Sequence, residues 1–207
     1  MKKLLFLLLF FSCLCFNAQQ IVDEDIQKLI DKYSVEPVLK CEIVVEINVE
    51  GMKIPNKIIY VDFVEGKKPK VKGKGLALIP KKGMINQFKE LFTTPLQAIF
   101  LNKKENNYTY KLVSLDEKSK WVTADIIFDE STSQIYESII HTRKQGSFKA
   151  VHTYQDSKYP IKSIITFDVK KFKMPLKFIG RSNKVSDFPD RNENVLGEII
   201  LLYTYLK

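Results

Sequence analysis

From Leu39 to Glu50 the chain alternates with a period of two. Leu39, Cys41, Ile43, Val45, Ile47 and Val49 fall on one side, and Lys40, Glu42, Val44, Glu46, Asn48 and Glu50 on the other. That is the pattern of a strand with one buried and one wetted face. Gly51 marks a turn, and a second strand is expected from about Lys57 to Val64, with Ile59, Val61 and Phe63 on one side. Glu65-Gly66 turns the chain again, and a third strand is expected from Val71 to Ile79. Three such segments in sequence predict an antiparallel meander with one apolar face.

The pattern changes on either side of the meander. Ile26, Leu29, Ile30 and Tyr33 recur at helical spacing, and Asp23, Glu24 and Asp25 suit a first turn, so Ile21 to Tyr33 reads as a helix. After Gly83, the residues Met84, Phe88, Leu91 and Phe92 again recur at helical spacing. Leu96 to Leu101, which includes Ile99 and Phe100, reads as a second short apolar piece of the same helical insert beyond Pro95. Strands resume at Asn107, with Tyr108, Tyr110 and Leu112 on one face. Further strands are expected at Trp121 to Phe128 (Val122, Ala124, Ile126 and Phe128 together), Ile135 to Arg143, Ser147 to Gln155, Pro160 to Val169 and Gly197 to Leu206. Residues 172–194 are polar and irregular. The sum is a mainly β, α+β chain: one curved antiparallel sheet, or open half-barrel, of about eight to eleven strands. The two helical segments are the only elements able to cover its apolar face.

Composition adds compartment and size. Lys2 and Lys3 precede the apolar run Leu4 to Phe11, and Phe16-Asn17-Ala18 offers a small residue at a cut, so residues 1–18 read as a secretory signal. An uncleaved anchor and lipoprotein processing at Cys13 or Cys15, after Ser12, are the alternatives. Removing 18 of the 207 residues leaves 189, which suits one domain, 19–207, with a sizeable core. Cys41 then stands as the only cysteine, on the apolar face, as a small hydrophobe. Without Lys2 and Lys3 the formal charge of +9 becomes +7. In an exported chain without an aromatic–basic binding motif, that favours an anionic membrane surface over nucleic acid.

The chemistry-bearing residues are few. His141 and His152 are the only histidines, each on a strand, with no carboxylate or cysteine at ligand spacing. No Gly-x-Ser-x-Gly elbow or phosphate loop occurs, and Gly73-Lys74-Gly75 lies within strand on both sides. No cofactor or metal is expected, and no enzyme. The candidate site is a surface: Cys41, Ile43, Val45, Ile47, Ile59, Val61 and Phe63 on the meander, with Met84, Phe88, Phe92 and Phe100 on the insert. The insert reads either as a plug filling the sheet or as a lid over an apolar pocket.

Three stretches resemble the outer-membrane lipoprotein-sorting (LolA-like) family, in its form common in Bacteroidetes-type bacteria. They are VEGKKPKVKGKGLALIPKKG at 64–83, KFKMPLKFIG at 171–180 and GEIILLYTYLK at 197–207. Leu76 stands where the family often has Phe, and no position matches the family's lid-tying arginine. The resemblance implies an open β-barrel lined by apolar side chains under a helical lid, and a monomeric periplasmic carrier of lipid or lipoprotein acyl chains. It implies donor and acceptor proteins at the inner and outer membranes. The alternative reading of the same residues is a structural or interaction protein of the envelope with a filled interior.

Overall fold

The computed structural model describes residues 23–35, 38–50, 54–64, 69–73, 88–155, 157–169 and 195–206. The expected signal segment, Met84 and the stretches 74–83 and 171–194 lie outside these residues.

Helix α1, Glu24–Ser34, begins where the sequence places its charge. Asp23 caps it, its side chain accepting from the Asp25 amide at 2.9 Å, with Glu24 and Asp25 in the first turn and Lys32 in the last. Ile26 and Leu29 are fully buried, while Lys28 pairs with Asp25 and Gln27 with Asp31 on the wet side.

Ten strands form one antiparallel sheet among the described residues. They are β1 Leu39–Val49, β2 Lys57–Phe63, β3 Lys70–Lys72, β4 Leu96–Lys104 and β5 Asn107–Ser114. They continue with β6 Trp121–Asp129, β7 Ile135–Thr142, β8 Ser147–Thr153, β9 Lys162–Asp168 and β10 Leu196–Leu206. Their order is β3-β2-β1-β10-β9-β8-β7-β6-β5-β4. The last strand thus lies between the first strand and β9, pairing with β1 from Lys40 opposite Leu206 to Val49 opposite Gly197. Gly197 is required there: a Cβ would meet the Phe167 ring at 2.7 Å and the Val49 side chain at 3.1 Å.

The third meander strand was expected to run to Ile79; its described part is Lys70–Lys72. The helical reading of Leu96 to Leu101 is corrected. Helix α2 covers Lys89–Thr93, and Leu96–Lys104 is strand β4. The cause is local. Thr94 precedes Pro95, which disfavours helical backbone, and Thr94 is extended at φ −93°, ψ 137°. The freed segment pairs with β5, Leu96 opposite Ser114 and Phe100 opposite Tyr110. Its dense apolar residues belong to two strand faces rather than one helical stripe.

A second correction concerns β6. Trp121 and Ala124 are both buried while Val122 is exposed, because an irregularity in the β6–β7 register between Trp121 and Thr123 resets the alternation. Ala124, Ile126 and Phe128 share the inner face as expected.

The buried residues form two clusters. One spans β1, β2, β9 and β10; the other joins α1 and α2 to β4–β7. Phe148 on β8 packs against both.

Candidate functional site

The meander residues assemble into one wall. Register places Cys41 opposite Val61, Ile43 opposite Ile59 and Leu39 opposite Phe63. On the other side of β1, Cys41 faces Tyr205, Ile43 faces Tyr203, Val45 faces Leu201 and Ile47 faces Ile199. Because side chains alternate, all of these point the same way, and directly opposed residues touch across each strand pair. Cys41, Ile43, Val45, Ile47, Ile59, Val61 and Phe63 therefore lie together in one buried cluster. Its buried members carry no formal charge. Burial pushes the Cys41 thiol up to about 12, which keeps it protonated and unreactive. Burial likewise raises the Tyr203 and Tyr205 phenols, and Tyr205 donates to the Pro160 carbonyl at 2.6 Å.

The insert residues sit elsewhere. Phe88 and Phe92 are buried in the second cluster, against Tyr33 of α1: Phe88 edge-on at 5.2 Å and Phe92 stacked at 5.7 Å. Phe88 also meets the edge of His152 at 5.3 Å. Phe100 lies on β4, half exposed, edge-on to Tyr110 at 5.4 Å and Tyr108 at 6.1 Å. The structure thus places the meander candidates in one buried cluster and Phe88 and Phe92 in the other, with Phe100 in neither and Met84 outside the described residues.

Two arrangements escaped the sequence reading. The first is a histidine–serine pair. His152 and Ser163 face each other across β8–β9, Nδ1 to Oγ 2.8 Å. The spacing is that of a base and a nucleophile, but both residues are buried, and burial lowers the His152 pKa to about 4. A neutral imidazole with so low a basicity, sealed from solvent, satisfies the serine rather than activating it. A predicted β8–β9 hairpin with its register would have placed the two residues opposite one another.

The second is a cleft of about 570 Å³ where the last turn of α1 meets the turns after β6 and β8. Lys32 and Lys158 line it together with Gln134, Tyr136 and Tyr154. Lys32 Nζ donates to the carbonyls of Thr132 at 2.8 Å and Ser133 at 2.9 Å. Burial, then the like charge of Lys158, brings its pKa down to about 8. No sequence spacing signals this site, because its residues come from three separate segments.

Among the described residues, no group of three or more His, Cys, Asp or Glu side chains is placed to hold a metal ion, and no helix is long and apolar enough to cross a membrane.

No family model matches the chain, and no curated protein matches it. Solved structures do. A LolA superfamily protein from Nitrosomonas europaea superposes with a TM-score of 0.51 at 9% identity, covering 88% of this chain and 93% of that one. A DUF1329 family protein from Desulfovibrio piger gives 0.48 at 8% identity, over 87% and 90% of the two chains. An outer membrane lipoprotein-sorting protein domain from Vibrio parahaemolyticus gives 0.41 at 8% identity, over 89% and 92%. The first of these shows that the chain has the LolA-like fold: one large open antiparallel sheet with, among the described residues, two short helices.

Proposed function

We propose that this chain is an exported, periplasmic carrier, without catalytic activity, that shelters lipid or lipoprotein acyl chains against the inner face of β1, β2 and β10. The observation that carries the reading is the wall itself. It is continuous across four strands joined by antiparallel ladders and has no formal charge among its buried members. An acyl chain asks for that surface and nothing more. Each methylene moved out of water is worth about 0.8 kcal/mol, so a dozen contribute roughly 10 kcal/mol before ordering costs. The LolA-like fold and the resembling stretches, including the Bacteroidetes-type form, support the same reading. Cleavage after Ala18 delivers the chain as a monomer, its +7 charge assists contact with anionic leaflets, and donor and acceptor proteins at the two membranes complete the route.

A second reading has its own observation. The wall residues are closed off from solvent in this structure, as a filled core would be. Uptake of a fluorescent fatty acid separates the two. With a carrier, wild type binds the probe and Ile47→Trp reduces uptake while the fold persists. With a filled core, wild type takes up nothing and Ile47→Trp overpacks, costing about 1–3 kcal/mol. Truncating Phe88 and Phe92 together to Ala speeds probe release if α2 gates access, and leaves the release rate unchanged if it does not.

A further inference from the structure

We infer that the cleft beside the last turn of α1 is a second binding site, one that takes a phosphate ester. The inference is independent of the acyl reading, because the cleft and the apolar wall share no residue.

The described lining of the cleft brings two lysines together. Lys32 spends two of its three ammonium protons on the Thr132 and Ser133 carbonyls, which fixes the amine in place and leaves one proton for a ligand. Lys158 reaches the same cleft from the turn after β8, with its own ammonium close to the face of Tyr159 at 5.8 Å. Among the described residues, no carboxylate lines the cleft. The acid that does act on Lys32 is Asp129, and its Oδ1 already accepts from the amides and hydroxyls of Ser131 and Thr132. Like charges held near one another destabilise each other, and a dianion between Lys32 and Lys158 relieves that cost.

Hydroxyl donors and an apolar wall refine the choice. The Ser157 hydroxyl accepts from the Tyr159 amide at 3.1 Å and retains its own proton to donate. Tyr136 stands edge-to-face with Tyr154 at 5.7 Å, and Tyr154 is anchored through its hydroxyl to the Ile135 carbonyl at 2.9 Å. A tetrahedral oxyanion with several acceptors suits two ammonium groups and a hydroxyl. The volume, about 570 Å³, lies within the range of small-molecule sites and exceeds what a bare anion fills. Tyr136 and Tyr154 line the same cleft, and the organic part of an ester would rest against them.

A free phosphate ester and the headgroup of a phospholipid present the same chemistry. The test therefore has two arms: calorimetric titration with glycerol 3-phosphate, and co-sedimentation with vesicles of phosphatidylglycerol in phosphatidylcholine. Exposed Lys158 is the residue to change, because Lys32 also ties α1 to the β6–β7 turn. The expected result is saturable binding in at least one arm, weakened about tenfold in Lys158→Gln and unchanged in Lys40→Gln, an exposed charge on β1. Binding in the first arm identifies a soluble ester; binding in the second alone identifies a headgroup. Melting temperature and acyl-probe uptake should be equal in all three proteins, so that loss at this site is distinguished from failure of the wall to bind lipid. No saturable binding in either arm, or equal loss in both variants, overturns the inference.

Discussion

The two halves of the sheet use the same alternation to different ends. Over β5, β6 and β7 the inner face meets α1 and α2, and the contact is fastened with polar links. The Tyr110 hydroxyl donates to the Asp23 carboxylate at 2.6 Å, the Tyr33 hydroxyl to the Ser133 carbonyl at 3.2 Å, and Lys32 to the same turn. Aromatic rings fill the space, with Phe128 against Tyr108 and Tyr110 at 5.7 Å each. Over β2, β1 and β10 the inner face is mostly aliphatic, and among the described residues its buried cluster consists of sheet residues together with Val195, which immediately precedes β10, without a contribution from α1 or α2. One half is a finished helix-on-sheet core. The other is a buried wall rich in Ile, Val and Leu side chains to which neither α1 nor α2 contributes.

That contrast can be broken by matched truncations. Ile126 and Ile43 are both fully buried, one in each half. Ile126→Ala should cost about 2–5 kcal/mol in urea unfolding, as buried truncations in tight cores do. Ile43→Ala in lipid-stripped protein should cost less than half of that. Equal losses would mean that the two halves are cores of the same kind.

The seam between the halves supplies the next effect. His152 on β8 is neutral when folded, its pKa lowered by burial to about 4 from an ordinary 6.5. The unfolded chain therefore binds more protons between those values, and stability that is complete above pH 6.5 falls as pH drops toward 4. The loss should approach roughly 3 kcal/mol at the acid end. Urea midpoints at pH 7 and pH 4.5 measure it, and His152→Asn should flatten the difference. A wild type equally stable at both values would contradict the burial of His152. A smaller effect belongs to the helical half alone: Asp23→Ala removes the α1 cap and should cost about 1 kcal/mol while leaving probe uptake unchanged.

Much of this was legible in the chain because burial writes itself as periodicity. The bounds of β1 match the alternating run from Leu39 to Val49, and Ile26 and Leu29 face inward as their spacing requires. The failures have physical causes. Leu96 to Leu101 is rich in apolar residues on both faces, and such a run looks alike as helix or strand until Thr94-Pro95 is weighed as a stop. A strict period of two puts Val122 on the face of Ala124, Ile126 and Phe128, because a register irregularity is invisible to it. The seven wall residues were placed on one face because they occupy alternate positions of two adjacent strands. Their separation from Phe88 and Phe92 depends on which part of the sheet each helix covers, and no local pattern encodes that. Lys32 and Lys158 lie more than a hundred residues apart, and only the folded chain brings them to one cleft.

The most direct test of the central claim is photo-crosslinking of the mature chain with a diazirine-bearing fatty acid, followed by peptide mapping. The account predicts adducts on the inner face of β1, β2 and β10, at residues such as Val45, Ile59 and Leu201, and their loss when unlabelled fatty acid competes. Adducts confined to β5–β7 and α1, or none above background, would contradict it.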